Sequence, residues 1–148
     1  MAKPALTEAI QDYLREIYKL QVDGSRVAVT ALAREQRVSP ASASAMVKKL
    51  AVLKLVDHTP YRGVRLTEAG EQVAIEVIRH HRLLELYLAE TLGLHVDDVH
   101  AEADRLEHVL SEELEARIDR ALGFPTHDPH GDPIPSADLK WPSAASGQ

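Results

Sequence analysis

The chain has 148 residues, 45% of them hydrophobic and 27% charged, with a formal net charge of −6, an ordinary balance for a soluble folded protein. It holds no cysteine, which excludes disulfides, thiolate metal sites and cysteine nucleophiles together, so any metal must be held by His, Asp, Glu, Met or backbone oxygen. Charges interrupt every apolar stretch, so no bilayer-spanning segment or membrane partner is expected, and Met1-Ala2-Lys3-Pro4 lacks a secretory apolar run and reads as a cytoplasmic start.

Thr7 is placed to cap a first helix running to about Gln21, where Ile10, Leu14 and Ile17 recur on one face. Thr30 is expected to cap a second helix over Ala31–Gln36, and Arg37-Val38-Ser39 forms a tight connection. Pro40 suits the first turn of a third helix, because its missing N–H would have no helical partner there. Two strand-like pieces follow, Leu55–Thr59 and Val64–Thr67, joined by Pro60-Tyr61-Arg62-Gly63, a Pro/Gly-punctuated turn. A long helix is expected from about Glu68 to Leu92, then one over Asp98–Leu110 capped by Asp97, then one from the Ser111 cap to about Leu122. From Phe124 onward the chain carries five of its eight prolines and reads as an extended or disordered tail.

Helix, tight turn, helix and hairpin in that order are the parts of a winged helix-turn-helix. The third helix is narrow enough to enter a major groove. Its exposed side is expected to carry Ser39, Pro40, Ala41, Ser42, Ser44 and Ala45 toward the bases, with Lys48 and Lys49 toward phosphates. Tyr61, Arg62 and Arg65 of the hairpin are placed for the sugar-phosphate backbone. Charge is divided to match: residues 1–70 hold 11 Lys and Arg against 7 Asp and Glu, whereas residues 71–148 hold 6 against 16. The expected architecture is mainly α, with a DNA-binding domain at residues 1–70, an acidic helical domain at 71–126 and a Pro-rich tail or linker at 127–148.

In the acidic half, Asp104, Glu107 and His108 fall at i, i+3 and i+4 and are expected to share one helix face. His100 sits one turn earlier, His81 and Glu85 have the same i, i+4 spacing on the preceding helix, and Asp12 lies beside Tyr13 on the first. Carboxylates and imidazoles without thiolates suit Mn²⁺ or Fe²⁺ better than a structural tetrahedral Zn²⁺. Two other readings stay open at this point. A winged-helix repressor can sense an organic ligand instead. A di-metal carboxylate enzyme can use helical acids and histidines, but it needs paired Glu-x-x-His motifs, and only the adjacent Glu107-His108 is present.

Long motifs then repeat a known order. Asp12-Tyr13-Leu14-Arg15-Glu16-Ile17-Tyr18, Ser39-Pro40-Ala41-Ser42-Ala43-Ser44-Ala45-Met46-Val47-Lys48-Lys49-Leu50 and Tyr61-Arg62-Gly63 resemble the diphtheria toxin repressor family of metal-dependent regulators. So do His81-Arg82-Leu83-Leu84-Glu85 and Val99-His100-Ala101-Glu102-Ala103-Asp104-Arg105-Leu106-Glu107-His108, with the manganese transport regulators as the nearest type. The resemblance implies a primary metal site from Asp12, Asp104, Glu107 and His108, and an ancillary site from His81, Glu85 and His100. It implies aspartate at position 12 in the manganese type, where iron-type members have methionine. At position 104 those types carry glutamate and cysteine, so the aspartate here is shorter than either. Arg15 stands where a manganese-type member can place a further carboxylate, which argues against a copy of that type's two-metal cluster.

The resemblance further implies a homodimer, formed through the helices at Val96–Leu110 and Ser111–Leu122, that reads a palindromic operator in double-stranded DNA. Mn²⁺, or alternatively Fe²⁺, would be the corepressor of metal-uptake genes. Pro133-Ile134-Pro135 resembles the linker after which iron-type members continue into a small third β domain, so the chain is expected to be a two-domain form or the first part of a longer one. His127 and His130 are open to a role as stand-ins for ancillary ligands that a third domain would give, but they read as flexible-tail residues.

Overall fold

The computed structural model describes residues 6–143; the start at Met1–Pro4 and the last five positions of the tail lie outside the described residues. The chain divides into two compact units, residues 1–74 and 75–148.

The first unit begins with α1 (Glu8–Leu20), capped by Thr7, whose Oγ1 accepts from the Ile10 N–H at 3.1 Å. A short 3₁₀ turn at Val22–Gly24 leads to α2 (Val29–Gln36) and α3 (Pro40–Val52). Ser39 caps α3, accepting from the Ser42 N–H at 3.1 Å, with Pro40 in the first turn. Leu14, Ile17, Leu32, Val47, Leu50 and Val64 are fully buried together and form the core of this unit. α2 departs from expectation at its start: it begins at Val29 after Ala28, with no side-chain cap, and Thr30 lies inside it. Tertiary pairing sets that entry. Val27 exchanges two backbone hydrogen bonds with Val64, each 2.8 Å, and the chain leaves this bridge directly into the helix. Arg37 ends α2 with φ +56 and turns the chain toward α3.

The hairpin pairs β1 (Val56–Thr59) with β2 (Gly63–Leu66), antiparallel, with Val56 opposite Leu66 and Thr59 opposite Gly63. Both strands lie within a residue of the expected bounds. Arg26 ties the hairpin to the α1–α2 connection: its Nη1 donates to the carbonyls of Asp57 (3.1 Å) and Gly63 (3.3 Å), and its Nη2 meets the Asp57 carboxylate at 2.7 Å. Gly63 is required here. Its φ is +102, and a Cβ would stand 2.4 Å from the Val27 carbonyl oxygen. Gly63→Ala should therefore lower unfolding free energy by about 2 kcal/mol, read as a lower denaturant midpoint at unchanged slope.

α4 (Glu68–Glu90) runs from the first unit into the second, which adds α5 (Val99–Leu106) and α6 (Glu112–Ala121). Leu83, Leu84, Ala103 and Ile118 bury against one another from these three helices. Ser111 caps α6, accepting from the Leu114 N–H at 3.1 Å. Two expectations need correction. First, α5 is shorter than Asp98–Leu110, and Asp97 does not cap it: the preceding residue is Asp98, with no side-chain cap bond. The helical ladder closes with the Glu107 N–H on the Ala103 carbonyl at 2.9 Å, and the Glu107 carbonyl accepts instead from His80 of α4 at 3.1 Å. Asp104 therefore sits on α5, Glu107 is its C-cap, and His108 lies in the turn beyond, so the three do not share one helix.

The second correction concerns the segment after Phe124, which is packed over its described length. Ile134 is 2% exposed and Pro135 is fully buried. Prolines lack an N–H, but their carbonyls accept: Arg79 donates to Pro135 O at 2.9 Å and Arg82 to Pro133 O at 2.7 Å. Buried Arg79 and half-buried Arg82 of α4 thus add to the segment's own backbone pairing, in which His127 bridges Pro133 and the Ile134 N–H donates to the Thr126 carbonyl at 2.8 Å.

Candidate metal centre

α4 and α5 converge on the imidazole of His81. Position 81 faces inward on α4, and one turn later Glu85 projects along the same face. His81 Nε2 lies 2.9 Å from Glu85 Oε2 and 3.1 Å from His100 Nδ1. His81 Nδ1 lies 2.5 Å from Glu107 Oε1 and 3.4 Å from Asp104 Oδ1. His100 closes the group, with Nδ1 3.2 Å from Glu85 and Nε2 3.4 Å from Asp104. His108 Nε2 stands 3.5 Å from Glu107 Oε2. His81, Glu85 and Glu107 are buried, whereas the side chains of Asp104 and His100 are 43% and 66% exposed at the rim. The expected ancillary residues and two of the expected primary residues therefore meet around one ring, and His108 adjoins them through Glu107.

Burial by itself would disfavour charge on both central groups. The carboxylates of Glu107 and Glu85 outweigh burial at His81 and hold its pKa up at about 9. For Glu85, burial pushes upward, but His81 and then His100 bring it down to about 2. Between two acceptors that can only accept, the His81 ring serves as a double donor, and a proton holds the charge where a cation fits.

The sequence reading missed Asp128 and set His130 aside as a flexible-tail residue. They lie in the packed segment, with His130 Nδ1 3.4 Å from Glu85 Oε1 and 4.0 Å from Asp128 Oδ2. Asp128 is 7% exposed, and its Oδ1 accepts the N–H groups of His130 and Asp132, both at 2.9 Å. Burial raises the Asp128 pKa, and the Asp132 and Glu85 carboxylates add to that. Within the second unit two ligand-bearing groups result among the described residues, His81–His100–Asp104 and Glu85–Asp128–His130, each with one donor atom per residue and all three atoms within 4.8 Å of one another. The readable signal was Asp128-Pro129-His130-Gly131-Asp132, chelating residue types alternating with turn formers. The donor chemistry fits a divalent first-row cation: imidazoles and carboxylates converge, several are buried, and none is a thiolate.

Asp12 belongs to the first unit. It sits on α1, one turn from Arg15, whose Nη2 lies 3.3 Å from its Oδ1. In the same unit Ser39, Pro40, Ala41, Ser42 and Ala45 are exposed at the start of α3, Ser44 is half-buried, and Lys48 and Lys49 are exposed further along. Ala43, Val47 and Leu50 point into the core. Arg62 and Arg65 are exposed on the hairpin, and Tyr61 stands fully exposed at its tip with φ +66.

Residues 5–64 match the iron dependent repressor N-terminal DNA binding domain, and residues 67–136 match the iron dependent repressor metal binding and dimerisation domain. The chain belongs to the iron-dependent repressor family. Family members are DNA-binding transcriptional repressors, not enzymes. The iron-dependent repressor IdeR of Mycobacterium bovis is 38% identical over 130 residues, which cover 88% of this chain and 56% of the relative. The diphtheria toxin repressor of Corynebacterium efficiens is 37% identical over 135 residues, 90% of this chain and 59% of the relative. A manganese-dependent transcriptional repressor in complex with manganese superposes with TM-score 0.81 at 47% identity, covering 90% of this chain and 62% of that one. The manganese regulator SloR gives 0.79 at 34% identity, covering 94% and 65%. The chain thus spans less than two thirds of the length of these relatives. Every imidazole and carboxylate of the cluster, Asp128 and His130 included, falls inside the family's metal-binding match, and α3 and the hairpin tip fall inside its DNA-binding match.

Proposed function

We propose that this chain is a metal-dependent transcriptional regulator, a repressor of metal-uptake genes for which Mn²⁺, or alternatively Fe²⁺, is the corepressor. One observation carries the reading: His81, Glu85, His100, Asp104 and Glu107 gather from two helices and a helix end around the His81 imidazole, a donor set suited to a hard divalent cation. A bound cation supplies positive charge that lets several buried carboxylates coexist. The chain's own residues do the rest. Glu107 and His81 anchor the buried side, and Asp104 and His100 form the exposed entrance. Asp128 and His130 extend the set on the far side of Glu85. His108 and, on the strength of the resemblance, Asp12 are proposed as the remaining ligands of a primary site.

The proposed partner is a palindromic DNA operator read by a homodimer. The exposed apolar side chains Leu106, Val109 and Leu114 on and between α5 and α6 support self-association there. Small residues at the start of α3 allow close approach to bases, so specificity would come largely through thymine methyls, water and DNA shape. The deciding experiment is a duplex-binding titration with Mn²⁺, Fe²⁺, Zn²⁺ and chelator, using operators selected from a random pool, repeated with Asp12→Ala. DNA binding that is equal with metal and with chelator overturns the reading. Within the same assay Lys48→Ala and Lys49→Ala should each weaken binding to all sequences alike and reduce the salt slope by about 1.

A further inference from the structure

His80 is buried beside the cluster yet belongs to neither ligand group. It follows Arg79 and precedes His81 on α4, and its ring is directed to the end of α5. Its Nδ1 donates to the backbone carbonyl of Glu107 at 3.1 Å, and its Nε2 meets Glu115 Oε1 of α6 at 3.0 Å. The other oxygen of Glu115 accepts from Arg79 Nε at 2.6 Å, and Arg79 also meets Asp119 at 3.1 Å. Glu107 is therefore held at both ends by consecutive histidines, its carboxylate by His81 and its carbonyl by His80. Glu107 is also the residue at which α5 stops, where a carbonyl has no helical partner and the backbone is otherwise free to fray.

We propose that His80, braced by Glu115, is a positioning element of the metal centre: it fixes the backbone at Glu107 and so places that residue's carboxylate for the cation. This rests on the reading of Glu107 as a ligand. A helix-end carboxylate has more rotational freedom than one inside a helix, and a cation site tolerates little misplacement of its donors. Partners that orient ligands in this way are commonly worth 10- to 100-fold in metal affinity. Arg79 extends the brace by joining Glu115 and Asp119 of α6 to the Pro135 carbonyl, so three separate segments converge on the placement of one ligand.

The test is isothermal titration of the full chain with Mn²⁺ alone, paired with thermal melting of the chelated protein. His80→Ala should weaken Mn²⁺ binding by about 10-fold or more per folded molecule. His80→Asn should recover much of that loss, because an asparagine amide offers an N–H close to the place of Nδ1. Should His80→Ala not fold, Glu115→Gln decides. It leaves one acceptor oxygen for two donors, so binding at least about threefold weaker is expected, and unchanged binding overturns the proposal. A purely structural role would lower the melting temperature of the chelated variants and leave their Mn²⁺ affinity within threefold of the parent, which also overturns it. Glu107→Ala in the same series separates the two ideas. If it loses Mn²⁺ while His80→Ala keeps it, only the positioning role falls; if Glu107→Ala keeps Mn²⁺, the ligand reading falls with it.

Discussion

Replacing Glu107 with alanine should weaken Mn²⁺ binding by more than about 100-fold, beyond the range of a mere supporting residue, and should abolish metal-dependent DNA binding. Glu107 is 1% exposed, and its carboxylate is the nearest group to His81 Nδ1. Asp104, on the same side of the ring, is differently placed: it is 43% exposed and stands farther away, at 3.4 Å. A buried anion has the larger effect on a cation because water does not screen it. The same substitution leaves the His81 ring with Glu85 and the more distant Asp104 as its acid partners. The ring thus loses the nearer of its two buried acid partners while keeping the other, so metal-free Glu107→Ala should also melt below the parent. Asp104→Ala is the contrast, with a smaller loss of affinity and little change in melting. Titration calorimetry with Mn²⁺ and melting in chelator check both. Equal effects of the two substitutions would mean that burial does not rank these ligands.

Much of this was readable from local chemistry. The Thr7, Ser39–Pro40 and Ser111 starts are caps whose side chains bond within three residues, so a short window contains the whole cause. α2 could not be bounded that way, because the pairing of Val27 with Val64 sets its start from 37 residues away in sequence. The end of α5 carries no comparable local cap, and the Glu107 carbonyl there finds its partner in His80 on another helix. The i, i+3, i+4 spacing of Asp104, Glu107 and His108 therefore named relevant residues for a reason only partly right, since the helix that would align them ends first. Five prolines suggested a loose segment after Phe124. What anchors it is Arg79 and Arg82, which the sequence shows only as two charges on an otherwise amphipathic helix. Because that packing was not legible, neither was the placement of Asp128 and His130 beside Glu85.

Metal-free protein should lose stability as pH rises from 6.5 to above 9, the opposite of what paired carboxylates alone would give. His81 is the cause. In the unfolded chain its pKa is near 6.5, and in the folded chain it is held at about 9 despite burial, by Glu107 and Glu85. A raised folded pKa means that the folded state binds the proton more tightly. The stabilisation is complete below 6.5 and disappears as pH climbs through 9, amounting to about 3 kcal/mol. Glu85 reports the same contact from the acid side: its pKa is lowered to about 2, so its share is present above 4.5 and fades as pH falls toward 2. The two are one interaction and are not added. Melting in chelator at pH 6.5 and 9.5 should therefore differ by several degrees, and His81→Gln should remove most of that difference. Saturating Mn²⁺ should also flatten the dependence, because a neutral imidazole is the form that binds a cation, and proton loss then assists occupancy instead of unpairing the carboxylates. A pH dependence in chelator that is unchanged by His81→Gln would place the titrating group elsewhere. It would leave the charge on the His81 ring without a role in holding α4 to the end of α5.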